Sequence, residues 1–380
     1  MKIVLACDTF TPDINGAAVF TQRLAAGLAE RGHELHVIAP SPTGYSYQHI
    51  YDNARIYRIP SFHYPWHSTF HIADFRRTPR GVYQLLHDIE PDVVHIQSHF
   101  VISRAAARAS SQLGIPWVAT NHFMPENLRS QSPIAIPDII YRVLARCAWK
   151  DAARVLNHAG AVTAPTYHAA EILRRRAGVA NAIPISCGVD ISAFTPNDER
   201  ISSQPSVLFV GRLELEKHVD QIIRALPIMT CPAELRIVGT GSQERSLRDL
   251  TTALGLHDRI RFLGYLNDDQ LIAEFNCAGA FCMPGTAELQ SIATLEAMAA
   301  GLPVVAADAH ALPELVSPGV NGELFPPGDV KRLAWALDQV LLDEQRRTAY
   351  AKSSRELVTR HELSRTVEEF EKLYANTSIT

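Results

Sequence analysis

The sequence predicts an α/β protein built as two doubly wound domains, on three observations. The chain has 380 residues, more than one hydrophobic core usually organises. Apolar runs of strand length alternate with amphipathic stretches of helix length throughout, the pattern that right-handed βαβ units and parallel sheets impose. The alternation halts once, in a polar stretch with two prolines and two serines between Phe194 and Pro205, and then restarts.

In the first half the pattern predicts strands at Lys2–Phe10, Glu34–Pro40, Arg55–Pro60, Val93–Gln97, Trp117–Asn121, Ala161–Ala164 and Ala182–Ser186. Helices are predicted between them at Ala17–Arg31, Pro79–Ile89, Val101–Leu113, Pro137–Asn157 and Tyr167–Ala177. The second half predicts strands at Ser206–Leu213, Leu235–Gly239, Ile260–Tyr265, Ala280–Pro284, Val304–Ala307 and Gly322–Pro326. This gives an N-terminal domain over 1–195, a linker over 196–205 and a C-terminal domain over 206–360. The last amphipathic segment, His361–Tyr374, follows the second sheet, and residues 361–380 are expected to pack back on the N-terminal domain. Loops and helix N-termini gather at the carboxyl ends of such sheets, so ligands are expected there.

Composition narrows the function classes. Hydrophobic residues make up 47% and charged residues 20%, with a formal net charge of −4, so no global field draws the protein to nucleic acid. The six cysteines show no CxxC pair or metal-ligand spacing, and the N-terminus runs straight into a strand pattern. Both features suit a cytoplasmic protein with buried thiols. No apolar run approaches the ~20 residues that cross a bilayer, which leaves a soluble or surface-bound protein.

The most informative segment is Pro284-Gly-Thr-Ala-Glu288-Leu-Gln-Ser-Ile-Ala-Thr-Leu-Glu296-Ala-Met-Ala-Ala-Gly-Leu-Pro-Val-Val. It reads as strand end, loop, helix and next strand. Glu288 then sits in a loop that a ligand can reach, and the helix N-terminus after it offers free N–H groups suited to a diphosphate. Glu296 is flanked by Leu295, Ala297 and Met298. A carboxylate in such surroundings needs hydrogen-bond partners, and ribose hydroxyls would serve.

Two glutamates with seven residues between them, followed by Ala-Met-Ala and Gly-Leu-Pro-Val-Val, resemble the signature of glycosyltransferase family 4. The resemblance continues in Val210-Gly-Arg-Leu-Glu-Leu-Glu-Lys217, Leu235-Arg-Ile-Val-Gly-Thr-Gly241, Ile260-Arg-Phe-Leu-Gly-Tyr265, Gly188-Val-Asp190 and Thr11-Pro-Asp-Ile-Asn-Gly-Ala-Ala18, covering nearly the whole chain. It implies the GT-B fold, two Rossmann-like domains, and a retaining hexosyltransferase using a UDP- or GDP-sugar. It also assigns roles. Arg212 and Lys217 meet the charge of the leaving diphosphate, Glu288 holds the transferred sugar, Glu296 holds the ribose, and Gly16 admits the donor close to the backbone. Leu289, Gln290 and Ser291 stand where many members have Gly-Phe-Gly, which puts the donor sugar in doubt. His218 likewise follows Lys217 where glycine is frequent, a change expected to shift the local turn. His122 matches the family's cleft histidine. The acceptor oxygen attacks from the face that the diphosphate leaves, and phosphate takes its proton, so no protein nucleophile is implied.

No cofactor or metal is expected. No Asp-x-Asp is present, and Asn267-Asp268-Asp269 reads as a helix N-cap. Gly239-Thr-Gly-Ser-Gln-Glu244 has glutamate where a dinucleotide fingerprint needs its third glycine. A nucleotide-sugar epimerase shares the expected architecture but lacks the paired glutamates.

For the acceptor, Arg142, Arg146, Lys150 and Arg154 recur every four residues on a predicted helix, bordered by Ile139, Ile140, Val143, Leu144 and Trp149. Interfacial helices have this composition. The stretch Phe62–Arg77 adds aromatics and cations in what reads as a long loop. Thr120-Asn-His-Phe-Met-Pro-Glu-Asn127 resembles bacterial transferases that glycosylate diacylglycerol or related glycolipids. These features favour a lipid acceptor at an anionic membrane face. A core helix with a solvated basic face, and a soluble sugar or polyol acceptor, stay open.

Overall fold

The computed structural model describes residues 1–13, 15–64, 70–125, 137–195 and 205–377. Ile14 of the glycine loop, Glu126 and Asn127, most of the predicted linker, and residues 65–69 of the aromatic stretch lie outside the described residues. The chain divides into two compact units. The first takes Met1–Pro125, Ser132–Cys187 and Leu363–Thr380, and the second includes Gly188–Glu362.

The first unit is built on an eight-stranded sheet of order β10-β9-β8-β7-β1-β2-β4-β3. Its central strands β1 (Lys2–Ala6), β2 (Glu34–Pro40), β4 (Ala54–Ile59), β7 (Val93–Ile96) and β8 (Trp117–Thr120) are parallel and mostly apolar, as strands covered on both faces tend to be. Strands β9 (Ala161–Ala164) and β10 (Ala182–Pro184) extend it on one side.

Three differences from the sequence reading have local causes. β1 stops at Ala6 rather than Phe10, because Asp8 leaves the sheet to accept the Ile102 N–H at 2.8 Å and the Ser98 hydroxyl at 2.6 Å. It thereby serves the N-terminus of the helix Val101–Leu113. Strand β3 (Tyr47–Tyr51) was not anticipated and adds antiparallel to β4 at the sheet edge. The stretch from Phe62 is not one long loop. β5 (Ser61–His63) and β6 (His71–Ala73) pair antiparallel, and the helix Thr78–Ile89 follows.

The C-terminal helix Leu363–Thr377 belongs to the first unit. Phe370 and Tyr374 are fully buried there, and the Phe370 ring lies 5.8 Å from that of Phe20. Arg31 fastens the exposed side of the helix, bonding Glu371 at 2.5 Å and the Ser364 carbonyl at 2.8 Å.

The second unit is built on an all-parallel sheet of β11 (Ser206–Val210), β12 (Glu234–Val238), β13 (Ile260–Gly264), β14 (Ala280–Met283), β15 (Val304–Ala307) and β16 (Gly322–Phe325). The strand order is β13-β12-β11-β14-β15-β16, and the core contains Phe209, Phe275 and Phe281. Strand β11 ends three residues before the predicted Leu213, because the chain turns at Gly211. After β12, Gly239 and Gly241 let their loop press on the one that follows β11. A Cβ on Gly239 would stand 2.0 Å from the Gly211 carbonyl oxygen, and one on Gly241 2.4 Å from that of Leu213. The Leu213 N–H donates to Thr240 at 2.9 Å across this seam. Glycine here fixes the loop that carries Arg212.

Candidate active site

The second unit assembles most of the predicted donor residues. Arg212 lies just past β11, and a single 3₁₀ turn, Leu215–Lys217, follows. Arg212 Nη2 reaches Glu216 Oε1 at 3.1 Å, and Glu216 is buried. The ammonium of Lys217 pairs with the carboxylate of Glu288, which lies beyond β14 (Ala280–Met283). The Thr286 N–H donates to the Glu216 carbonyl at 3.1 Å, so the two loops are also joined through backbone. His218 adopts a left-handed conformation, φ 49°, that glycine takes more easily, and its Nε2 lies 2.9 Å from Thr286 Oγ1. The glycine-like turn is thus kept with histidine in it. A cavity of about 570 Å³ opens beside it, with Gln221 and His310 also on its wall.

Helix Ile292–Ala299 starts where the sequence places it. Ser291 is its N-cap, accepting the Thr294 N–H at 3.3 Å. Glu288, Leu289, Gln290 and Ser291 are all buried in the loop before it, and Glu296 is 6% exposed on the helix itself. The N-terminus of this helix therefore places a partial positive charge between the two glutamates. Asn267 caps the helix Asp268–Cys277 in a reciprocal box with Gln270, as its sequence suggests.

Gly16 and His122 belong to the first unit. Gly16 is exposed and opens the helix Gly16–Glu30, which Asn15 caps by accepting the Ala18 N–H at 3.0 Å. His122, just past β8, packs 4.9 Å from the Phe20 ring, and its Nε2 lies 3.2 Å from Gln97 Oε1. Burial pushes its pKa down to about 4, so the imidazole is neutral near pH 7.

Two site neighbours escaped the sequence reading. Glu216 was visible only as a member of the quoted Arg–Glu–Lys cluster, four residues after Arg212. Gln97 ends a predicted strand and carries no local signal, since its partner lies 25 residues away.

The helix Asp138–Leu156 carries the basic stripe. Trp149, Ala152, Val155 and Leu156 are buried, whereas Arg142, Arg146, Lys150 and Arg154 are exposed. Ile139, Ile140, Val143 and Leu144 are exposed as well, at 78%, 53%, 52% and 50%. At ~100° per residue, the cations and these apolar side chains share one exposed arc, with Ile139 and Val143 among the cations and Ile140 and Leu144 beside them, and the buried residues take the rest of the circle. Only the second half of the helix is built as a core helix. Among the described residues no helix is long and apolar enough to cross a membrane.

Comparison with known proteins shows the family and the fold. A model described as Glycosyltransferase Family 4 matches residues 14–193, and one described as Glycosyl transferases group 1 matches residues 193–357. A GDP-mannose-dependent alpha-mannosyltransferase of Mycolicibacterium smegmatis is 31% identical over 369 residues, 92% of this chain and 91% of the relative. A phosphatidyl-myo-inositol mannosyltransferase of the same organism is 28% identical, with 96% and 91% covered. The sucrose-phosphate synthase of Thermosynechococcus elongatus shares the fold, with a TM-score of 0.81 at 20% identity over 99% of both chains. With two family models laid end to end and a relative at 31% identity along nine-tenths of both chains, this protein belongs to glycosyltransferase family 4 and is a hexosyltransferase of GT-B fold.

Proposed function

We propose that the protein transfers a hexose from a nucleoside diphosphate sugar, GDP-mannose first among the candidates, to a lipid headgroup at a membrane surface, with retention at the anomeric carbon. The observation that carries the reading is the pairing of both site cations with carboxylates in the second unit, Arg212 with Glu216 and Lys217 with Glu288. Fixed cations beside a helix N-terminus are suited to the charge that grows on a departing diphosphate. On donor arrival Lys217 exchanges Glu288 for phosphate, and Glu288 is released to accept hydroxyls of the sugar. Glu296 accepts those of the ribose. The acceptor oxygen bonds to the anomeric carbon as the bond to phosphate breaks, and its proton passes to the phosphate oxygen. The names of the two mannosyltransferase relatives support mannose as the sugar and an inositol lipid as the acceptor class. The exposed apolar and basic arcs of Asp138–Leu156 support a membrane as the place.

The test incubates the protein with labelled GDP-mannose or UDP-glucose and either phosphatidylinositol vesicles or soluble inositol. Label from GDP-mannose in the lipid extract, α-linked by NMR, is the expected result. Label confined to the aqueous phase overturns the acceptor half, and transfer from UDP-glucose alone overturns the donor half.

A further inference from the structure

His122 ends a line of buried polar groups. Beyond its contact with Gln97, Gln97 Nε2 lies 3.2 Å from Nδ1 of His95. The Tyr374 hydroxyl approaches the same nitrogen at 2.8 Å. On the other side of the ring, His95 Nε2 lies 2.6 Å from Thr120 Oγ1, which is 2.6 Å from Thr163 Oγ1. Gln97, His95, Thr120, Thr163 and Tyr374 are each at most 2% exposed. Each of these groups is shielded from bulk water, so its proton is placed by its neighbours in the protein.

The order can be worked out from the donors present. Burial pushes His95 down to about 3, so the ring is neutral and has one donor and one acceptor nitrogen. Tyr374 O–H and the Gln97 amide N–H both point to Nδ1, which makes Nδ1 the acceptor. His95 Nε2–H then donates to Thr120, whose hydroxyl donates to Thr163. With its NH₂ group turned to His95, Gln97 has only its carbonyl oxygen for His122. A carbonyl accepts, so the His122 proton sits on Nε2.

We propose that Gln97 is a positioning residue that holds His122 in the Nε2–H tautomer, anchored through His95 to Tyr374 of the C-terminal helix, so that His122 Nδ1 is offered as an acceptor to a substrate hydroxyl. The inference rests on His122 being a site residue, the role that the family resemblance gives it. Without Gln97 a neutral imidazole divides between two tautomers, and one of them presents N–H where a lone pair is needed.

The test is ¹⁵N NMR of the full chain labelled at histidine, with His122→Asn for assignment. Wild type is expected to show a protonated Nε2 and an unprotonated Nδ1 at His122. Gln97→Leu is expected to mix the tautomers and lower kcat/KM about tenfold, the weight of one hydrogen bond, with GDP affinity unchanged. Gln97→Glu places a carboxylate against the ring and raises the His122 pKa, so transfer acquires a new ionisation and is lost as pH falls through it. Phe20 and His95, the other described groups near the ring, supply no charge of their own at that pH. An Nδ1–H tautomer in the wild type, or a Gln97→Leu protein with tautomer and rate both unaltered, overturns the proposal. His122→Ala transferring at the wild-type rate instead overturns the reading of His122 as a site residue, and with it the purpose assigned to Gln97.

Discussion

Lys217 and Glu288, 71 positions apart in sequence, close on each other as an ion pair, so each of these proposed donor-binding groups is occupied by the other before any donor arrives.

The pair predicts opposite outcomes for its two members. Lys217→Ala removes a charged contact to diphosphate worth ~1.5–3 kcal/mol, and GDP affinity falls about tenfold or more. Glu288→Ala removes the carboxylate that competes with phosphate, so GDP binds at least as tightly as in wild type while transfer drops steeply. Glu296→Gln should behave like Lys217→Ala, because its proposed partner is the ribose. Isothermal titration with GDP separates the three. Equal loss of affinity in Lys217→Ala and Glu288→Ala contradicts the assignment.

Chelation supplies a second test. If Arg212, Lys217 and the helix N-terminus at Ile292 carry the leaving-group charge, millimolar EDTA leaves the initial rate of transfer unchanged. A rate lost to EDTA and restored by Mg²⁺ or Mn²⁺ reveals a metal requirement.

The membrane reading is tested by charge reversal. Converting Arg142, Arg146 and Lys150 to Glu removes several kcal/mol of attraction to anionic lipid, at ~1 kcal/mol per residue. Co-sedimentation with phosphatidylglycerol vesicles falls steeply, while GDP affinity is unchanged. Wild-type protein is released as salt rises, because the Debye length shrinks from ~10 Å at 0.1 M to ~3 Å at 1 M. Equal vesicle binding by wild type and variant favours a soluble acceptor.

Stability should depend on pH through three histidines of the first unit. Burial pushes His95 down to about 3, and His99 and His122 to about 4. Their unfolded pKa is ~6.5, so between roughly pH 4 and 6.5 the unfolded chain binds protons that the folded one refuses. Stability therefore rises with pH across that window and levels off above it. Tm measured from pH 4 to 8 checks the sign, and a His95→Asn variant should show a shallower rise.

Much of this was legible because it is written locally. The apolar runs at Lys2–Ala6, Val93–Ile96 and Val304–Ala307 are strands in any context that covers both faces. Asn267 announces the helix it caps, whereas the cap made by Ser291 shows only in the structure. What was missed depends on partners distant in sequence or on an edge. Tyr47–Tyr51 leaves Ile50 74% exposed and pairs with a single neighbour, so its composition lacks the apolar continuity of the central strands. β5 and β6 are three residues each, below the length at which periodicity speaks. The types at Lys217 and Glu288 were readable, but their mutual contact was not, since pattern along a chain does not encode which loop ends meet.

The origin of the helix Leu363–Thr377 decides the order in which this protein matures on the ribosome. The first unit is interrupted by Gly188–Glu362, and two of its most deeply buried aromatic side chains, Phe370 and Tyr374, are synthesised only after that whole segment. Gly188–Glu362 is nearly continuous and emerges with every strand of its sheet in hand. The second unit can therefore complete its sheet while the first, begun earlier, still lacks the helix whose Phe370 packs near Phe20. A nascent chain stalled before Phe370 would carry every strand of the second sheet attached to a first unit that lacks most of the helix Leu363–Thr377.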